Sequence, residues 1–416
     1  MKSKIIKTIV QYILLFLGLT TLFLLINILS SSMPSDNIKR NLSKNLDFYI
    51  SLKDYGKPFA DDHAQVFDYN SEALILNIAC SVDNTKPFQS ALLGSYYSEH
   101  NDEPKFSYIK KSISGEGKIY ENINYPRYWH GASFIYRFFL NFFDYASLRL
   151  FLFFVTSVLV FTTVILQYKR TNFQFALATM LGLILVNFVF MQYLIQYSSA
   201  LIIALIASII ILSMKKPNNK QLGIFFFITG AVTVYIDLLT APVITLGLPL
   251  LIYISIQQFE NKFSLKKQLR EIVLFSFLWA VAYASIWIVK WVLVDIFTDF
   301  NIITSVTNQV KYRSGFDRGA NLFGGIVKNI NNINLVLFLI TICVFLLVNV
   351  RPNCTKNIKK LIPYLLVCTY PFLWIFALNE HSYSHDWFVY RTLLITITGL
   401  LMAIATLRLK KAKNKH

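Results

Sequence analysis

Apolar runs about as long as a bilayer is thick recur from one end of this chain to the other, and no other feature constrains its fold as much. A helix needs about 20 mainly apolar residues to cross the hydrocarbon core. The first such run is Ile6–Leu29. After a long polar stretch the others follow at Tyr145–Leu166, Phe173–Met191, Leu194–Met214, Leu222–Leu238, Ala241–Ile256, Ile272–Phe297, Ile333–Val350, Leu361–Leu378 and Thr392–Leu407. Backbone polar groups find no water in lipid, so runs of this kind fold as helices. The expectation is an all-α polytopic membrane protein, a single integral membrane domain over residues 1–416 with about ten transmembrane helices. Only 15% of the residues are charged, where soluble domains carry about a quarter. The runs near Ile224 and Val243 are short and broken by Gly223, Gly230, Pro242, Gly247 and Pro249. Such breaks are tolerated where neighbouring protein or a cavity satisfies the backbone. The first run follows MKSKIIK and is too long for a secretory signal, so it is expected to be retained as a span.

A net charge of +18 would point to nucleic acid in a soluble protein. Here the cations gather in short loops: Lys169 and Arg170, then Lys215, Lys216 and Lys220, then Lys262 to Arg270, then Arg351 to Lys360, and finally Arg408 onward. With ten spans every one of these loops falls on the same side. The excess of Lys and Arg in cytoplasmic loops then puts both termini in the cytoplasm of a multi-pass cell-membrane protein, and no nucleic acid partner is expected. Residues 30–144 become a long extracytoplasmic loop carrying interfacial helices, among them Phe134–Phe143 with Arg137 inserted. Residues 298–332 and 379–391 become the second and third outer loops. The second carries Lys311, Arg313, Arg318 and Lys328. Topology gives it no reason to be basic: either the span count differs there or the loop meets an anion, and the anion is the expectation, because the two flanking spans are each clear.

Four groups of residues carry candidate chemistry. Asp68 and Glu72 in VFDYNSEALILN lie one helical turn apart and share a face if the segment is helical. Two such acids can divide the roles of general base and orienting partner. The same spacing also fits a plain helix start, with Asp68 or Asn70 as cap and Glu72 as a favourable first-turn charge. Asp61, Asp62 and His63 lie just upstream. The second group is YPRYWHG, where Arg127 suits a phosphate and Tyr128, Trp129 and His130 suit a sugar face. An aromatic interface belt with a basic anchor explains it equally well. The third is intramembrane: Lys290 in WIVKW and Asp237 in YIDLLTAP. An intramembrane Lys marks a functional site or a structural ion pair, with Asp237 as the partner at hand. The fourth is the loop NEHSYSHDWFVYR, with Asn379, His381, His385 and Arg391. His381 and His385 have the spacing of a zinc pair, but two ligands do not make a site. Phosphate or pyrophosphate binding suits the loop better, and neither a metal nor a cofactor is expected.

The four cysteines, Cys80, Cys343, Cys354 and Cys368, form neither a disulfide framework nor a CxxC site. The chain has no P-loop, GxSxG, HExxH or Rossmann glycine pattern, so a soluble nucleotide donor is not expected. It shows no internal repeat, which weakens a transporter reading.

Taken with FDYNSEALILN and YPRYWHG in the first outer loop, the layout resembles the GT-C superfamily of membrane glycosyltransferases. The strings FDYNSEALILN, YPRYWHG, YIDLLTAPVITLG and NEHSYSHDWFVYR are also similar to stretches in uncharacterised membrane proteins of Gram-positive bacteria. The GT-C resemblance implies an acid in the first outer loop as the catalytic residue, which falls on Asp68 or Glu72, with Asp61 or Asp62 behind them. It implies a polyprenyl-phosphate sugar as donor, drawn from the membrane lipid, and transfer on the outer face. The expected acceptor is a cell-envelope glycan, a glycolipid or a cell-wall polymer. The donor phosphate is then expected near Lys290, Arg127 and the His381–Arg391 loop, with Lys311 and Arg313 as further anion contacts and Trp129 in an aromatic rim. Two rivals share the layout: a polysaccharide polymerase or ligase working on a lipid pyrophosphate, and a lipid or solute transporter.

Overall fold

A computed structural model describes residues 2–52, 54–56, 66–98, 103–114, 122–315, 323–350 and 358–408. The first span is the 30-residue helix α1 (Lys2–Ser31). The polar segment after it folds into short helices: α2 (Asp36–Ser43), α3 (Leu46–Ser51), α4 (Tyr69–Cys80), α5 (Pro87–Leu93), α6 (Lys105–Ser114) and α7 (Gly131–Leu140). Two small antiparallel pairs tie them together. β1 (Tyr55–Gly56) pairs with β2 (Phe67–Asp68), with Tyr55 opposite Asp68. β3 (Tyr96–Tyr97) pairs with β4 (Asn122–Ile123), with Tyr96 opposite Ile123. The apolar residues of α4 are buried on all sides, so this helix is the hub of the layer, packed against α6 and α7. Asn77 fixes its far end, donating to the Tyr97 carbonyl at 2.7 Å and accepting from the Tyr97 amide at 3.0 Å.

The next helices are α8 (Tyr145–Arg170), α9 (Phe173–Leu185), α10 (Phe188–Tyr193), α11 (Ile195–Ser213), α12 (Asn219–Ile236), α13 (Ile244–Phe259) and α14 (Leu265–Phe297). The last stretch holds α15 (Ile302–Ser314), α16 (Gly324–Asn331), α17 (Leu335–Asn349), α18 (Ile362–Cys368), α19 (Tyr370–Ala377), α20 (Asn379–Ser384), α21 (Asp386–Val389), a 3-10 turn at Tyr390–Leu393, and α22 (Leu394–Leu407). Among the described residues six helices are long and apolar enough to cross a membrane, and a seventh span is formed if α16 and α17, bent by 77°, count as one. The other three apolar runs form shorter helices, α9 with 13 residues, α12 with 18 and α13 with 16. They pack along α22, α14 and α11 respectively. The third run stops early because Asn187 turns left-handed, at φ 53°. Gly230 lets α12 meet α14 closely: a Cβ there would collide with the Trp279 carbonyl, the small-residue contact that membrane helices use.

The outer helices leave apolar faces uncovered, as at Leu14, Phe161, Phe277 and Leu347, as helices do when lipid rather than water surrounds them. By contrast α13 is enclosed almost completely. At 33 residues, α14 is about 50 Å long, against about 30 Å of hydrocarbon. It is thus longer than the hydrocarbon is thick, and its C-terminal half carries the candidate site.

The helix predicted at Phe134–Phe143 is α7. It turns Phe134 and Arg137 inward and leaves Phe138 and Ile135 exposed. Arg137 is buried because it holds helix ends: it donates to the carbonyls of Ser30 at 3.2 Å and Met33 at 2.8 Å, at the end of α1, and of Ala79, at the end of α4.

Candidate functional site

A cavity of about 340 Å³ opens beside the C-terminal half of α14. One wall is the helix face bearing Tyr283, Trp287 and Trp291, residues spaced by four and therefore stacked on one side. Tyr128 and Arg127 come from the YPRYWHG segment, Val306, Gln309 and Arg313 from α15, and Trp374 and Leu378 from the end of α19. The lining is thus aromatic, with two guanidinium groups. The backbone at Arg127 is clamped: its carbonyl accepts from the indole N–H of Trp287 at 2.6 Å and of Trp291 at 3.0 Å. Tyr128 stacks on Trp287 with ring centres 5.7 Å apart.

Arg127 donates to Ser305 Oγ at 2.9 Å and lies over the Tyr125 ring at 4.5 Å. Arg313 donates to Gln309 at 3.2 Å and lies over Tyr128 at 5.7 Å. Each keeps one buried nitrogen without a hydrogen-bond partner among the described residues, Nε of Arg127 and Nη1 of Arg313. Neither forms an ion pair there. Buried donors are nearly always satisfied, so two orphans beside one cavity call for an acceptor. Guanidinium pairs suit phosphate oxygens.

The segment 379–391 adjoins this cavity. His381 points Nε2 at the carbonyl of Leu239, 3.3 Å away, and Leu239 itself lines the cavity. His385 lies against His381, ring centres 4.7 Å apart, with Nδ1 3.1 Å from the His381 carbonyl. Burial pushes both imidazoles below their ordinary range, and the nearby Arg313 charge adds to this. They are neutral neighbours of the cavity rather than cations within it. Contacts continue from His385 to Trp387 at 5.4 Å, and from the Trp387 indole N–H to Asp68 at 3.4 Å.

Asp68 is 1% exposed. It caps α4, accepting from the Ser71 amide and the Ser71 hydroxyl, both at 2.9 Å. Burial raises its pKa above the usual carboxylate range. Glu72 is also buried, and it accepts from Tyr145 Oη at 2.7 Å and from the amides of Ile195 at 3.0 Å and Gln196 at 2.8 Å. It therefore closes the first turn of α11 from a different helix. Burial pushes its pKa up to about 6. Both features of the capping reading are present, and neither acid lines the cavity. Arg391 is fully buried over the Tyr197 ring at 4.4 Å, with Nη1 donating to the Trp387 carbonyl at 2.8 Å. Its Nε and Nη2 have no hydrogen-bond partner among the described residues.

Several expected phosphate contacts lie elsewhere. Lys290 points Nζ at the carbonyls of Ala91, at 3.1 Å, and Leu92, at 2.6 Å. It closes the C-terminus of α5, where a cation suits the helix dipole, and is absent from the cavity wall. It makes no ion pair with Asp237, whose Oδ2 accepts from the Thr240 amide at 3.0 Å in the turn after α12. Trp129 is no rim residue: it is fully buried and its indole donates to the Ile286 carbonyl at 2.8 Å. His130 is packed with its Nε2 2.6 Å from the Tyr125 carbonyl, and burial lowers its pKa to about 3. Gly94, at φ 54°, makes room for it, since a Cβ would come within 2.6 Å of the imidazole. Asn379 accepts from the Gly325 amide at 3.1 Å and so fastens α16. Lys311 is exposed on α15, off the cavity lining. Asp61, Asp62, His63 and Arg318 lie outside the described residues.

So Arg127, Tyr128 and Arg313 converge, with His381 and His385 at their edge. Asp68 and Arg391 each bond to Trp387, the first at its indole N–H and the second at its carbonyl. The aromatic wall of Tyr283, Trp287, Trp291 and Trp374 went unread in the sequence, although the four-residue spacing of the first three was there to find. Among the described residues no cluster of three His, Cys, Asp or Glu side chains suits a metal. Comparison with protein-family models, curated proteins and solved structures finds no match to this chain.

Proposed function

We propose that this protein is a membrane glycosyltransferase that moves a sugar from a polyprenyl-phosphate donor to a cell-envelope glycan, glycolipid or cell-wall polymer on the outer face of the cell membrane. The proposal includes about ten spans, counting α9, α12 and α13, and cytoplasmic termini. Its main support is the aromatic cavity with two arginines that each keep an unsatisfied buried donor. A sugar phosphate brings acceptor oxygens for the guanidinium groups and an apolar ring face for the indoles. As the bond from the anomeric carbon to phosphate breaks, charge grows on the departing phosphate, and donors fixed beforehand at that point lower the barrier.

The reading gives Asp68 the acceptor's proton. Among the described first-loop acids, Asp68 is joined to the cavity wall by a run of contacts through Trp387, His385 and His381 to Leu239, and its raised pKa makes a stronger base. Asp68→Asn tests this cleanly, because Asn caps a helix about as well as Asp. We expect transfer to vanish while thermal unfolding stays within about 0.5 kcal/mol of the parent. Full activity would assign Asp68 to capping alone. Arg127→Ala and Arg313→Ala are each expected to raise the donor KM by about tenfold or more, from roughly 1.5–3 kcal/mol per charge-assisted bond. Unchanged donor affinity in both would remove the main support.

Arg391 favours a second reading, a polymerase or ligase that grips a lipid pyrophosphate with Arg and His. In that case Arg391→Ala abolishes activity and Asp68→Asn does not.

A further inference from the structure

A second and larger cavity, about 730 Å³, lies at the outermost end of α14. Its lining differs in kind from the aromatic cavity. Gln89, Asn124, Asp295, Thr298 and Asp299 supply polar groups, and Phe297 and Phe300 supply aromatic faces. Among the described residues its lining holds two carboxylates and no cation.

Three separate segments run from one cavity to the other. On α14, Trp287 and Trp291 line the aromatic cavity, and Asp295, one turn further on the same face, lines the polar one. The step from Trp291 to Asp295 is about 6 Å along the axis. Asn124 lines the polar cavity and Arg127, three residues later, the aromatic one. Phe300 and Val306 repeat the pattern at the start of α15. The two cavities therefore stand end to end, with the Arg127–Ser305 hydrogen bond of 2.9 Å between them. Asn124 is itself held, accepting at Oδ1 from the Ser95 hydroxyl at 2.7 Å. That leaves its amide N–H groups to be offered elsewhere.

From this juxtaposition we propose that the polar cavity binds the non-reacting sugar units of the acceptor, and that it selects acceptors that are neutral or carry amino groups. Carboxylates and amides accept from and donate to vicinal hydroxyls. Phe297 and Phe300 offer faces to the C–H side of a sugar ring. The volume lies within the range of small-ligand sites, roughly 300–1,000 Å³. Asp295 and Asp299 repel a polyanionic acceptor, so selectivity comes from a built-in unfavourable contact as well as a favourable one. Charge also separates the two ligands: the phosphate is drawn to Arg127 and Arg313, and the glycan lies at the acidic end. The identification of this ligand as an acceptor rests on the glycosyltransferase reading. Glycan binding at the cavity does not.

The test uses the full-length protein in lipid nanodiscs, since a maltoside detergent is itself a sugar. Saturation-transfer NMR is recorded with maltotriose, with the glucosamine trimer and with polyglycerol phosphate. We expect signal from the first two and none from the third. Asn124→Ala should weaken maltotriose binding at least tenfold, and the double variant Asp295→Lys, Asp299→Lys should admit polyglycerol phosphate and reject the glucosamine trimer. These side chains lie at the surface, and unchanged thermal unfolding confirms that each variant is folded. Equal binding of all three probes, or maltotriose binding unaltered by Asn124→Ala, overturns the proposal. Sugar binding lost in the variants without transfer in any assay supports this cavity and sinks the glycosyltransferase reading. Transfer whose acceptor KM ignores Asn124→Ala does the reverse.

Discussion

His130 shows how a residue of the right chemical type ends in a packing role. In YPRYWHG it reads as a sugar or phosphate contact, yet its backbone is left-handed at φ 55° and its ring fills the space that Gly94 leaves. Its pKa falls from the ordinary 6.5 to about 3 because burial disfavours the charged ring. The folded state thus prefers neutral His130, and the associated stability is complete above pH 6.5 and is lost as pH falls toward 3. At pH 5 the loss is about 2 kcal/mol, from about 1.4 kcal/mol per pH unit. His130→Asn keeps a residue that tolerates the left-handed conformation. Its unfolding free energy, relative to the parent, should rise by that amount between pH 7 and pH 5. A constant difference would show that His130 does not titrate on unfolding in this window. WIVKW teaches the matching lesson. Its charge drew attention, but the two tryptophans four residues apart build the cavity and the lysine between them closes another helix. The sequence pattern shows which residues share a face of α14, and only the packing of α5 and α15 shows what each face meets.

Helix ends in this protein are often met by side chains from elsewhere, and that explains the misleading acids and bases. Glu72 on α4 satisfies the first amides of α11, and Lys290 on α14 satisfies the last carbonyls of α5. Helix ends leave such groups without partners, and partners drawn from distant segments are invisible to local patterns. Gln at position 72 would offer one acceptor oxygen to three donors. Glu72→Gln should therefore cost about 1–3 kcal/mol and speed hydrogen exchange at the Ile195 and Gln196 amides. Unaltered exchange there would undo the capping assignment. Lys290→Met strands two buried carbonyls, so the protein should lose about 2 kcal/mol of stability with donor affinity intact. A drop in donor affinity at unchanged stability would instead restore the phosphate role expected from the sequence. The Asp68 cap, by contrast, was legible, because Asp68 and Ser71 are neighbours in sequence.

On the scale of the whole molecule, the apolar runs foretold a helical membrane protein, and the long helices agree. The three shorter helices escape that reading because a run enclosed by protein, like α13, has the same composition as one bathed in lipid. The orientation is open to a direct measurement. In a cysteine-free background, Thr307→Cys on exposed α15 should react with an impermeant maleimide on intact cells, and Lys220→Cys only after permeabilisation. Labelling of Lys220→Cys alone on intact cells would invert the topology. The two indole N–H groups that share the Arg127 carbonyl have a consequence for binding rates. They hold the loop in place by bonds within the protein itself, so a ligand need not wait for it to order. Less conformational entropy is lost on association, and encounter alone, rather than loop closure, then sets the speed of capture.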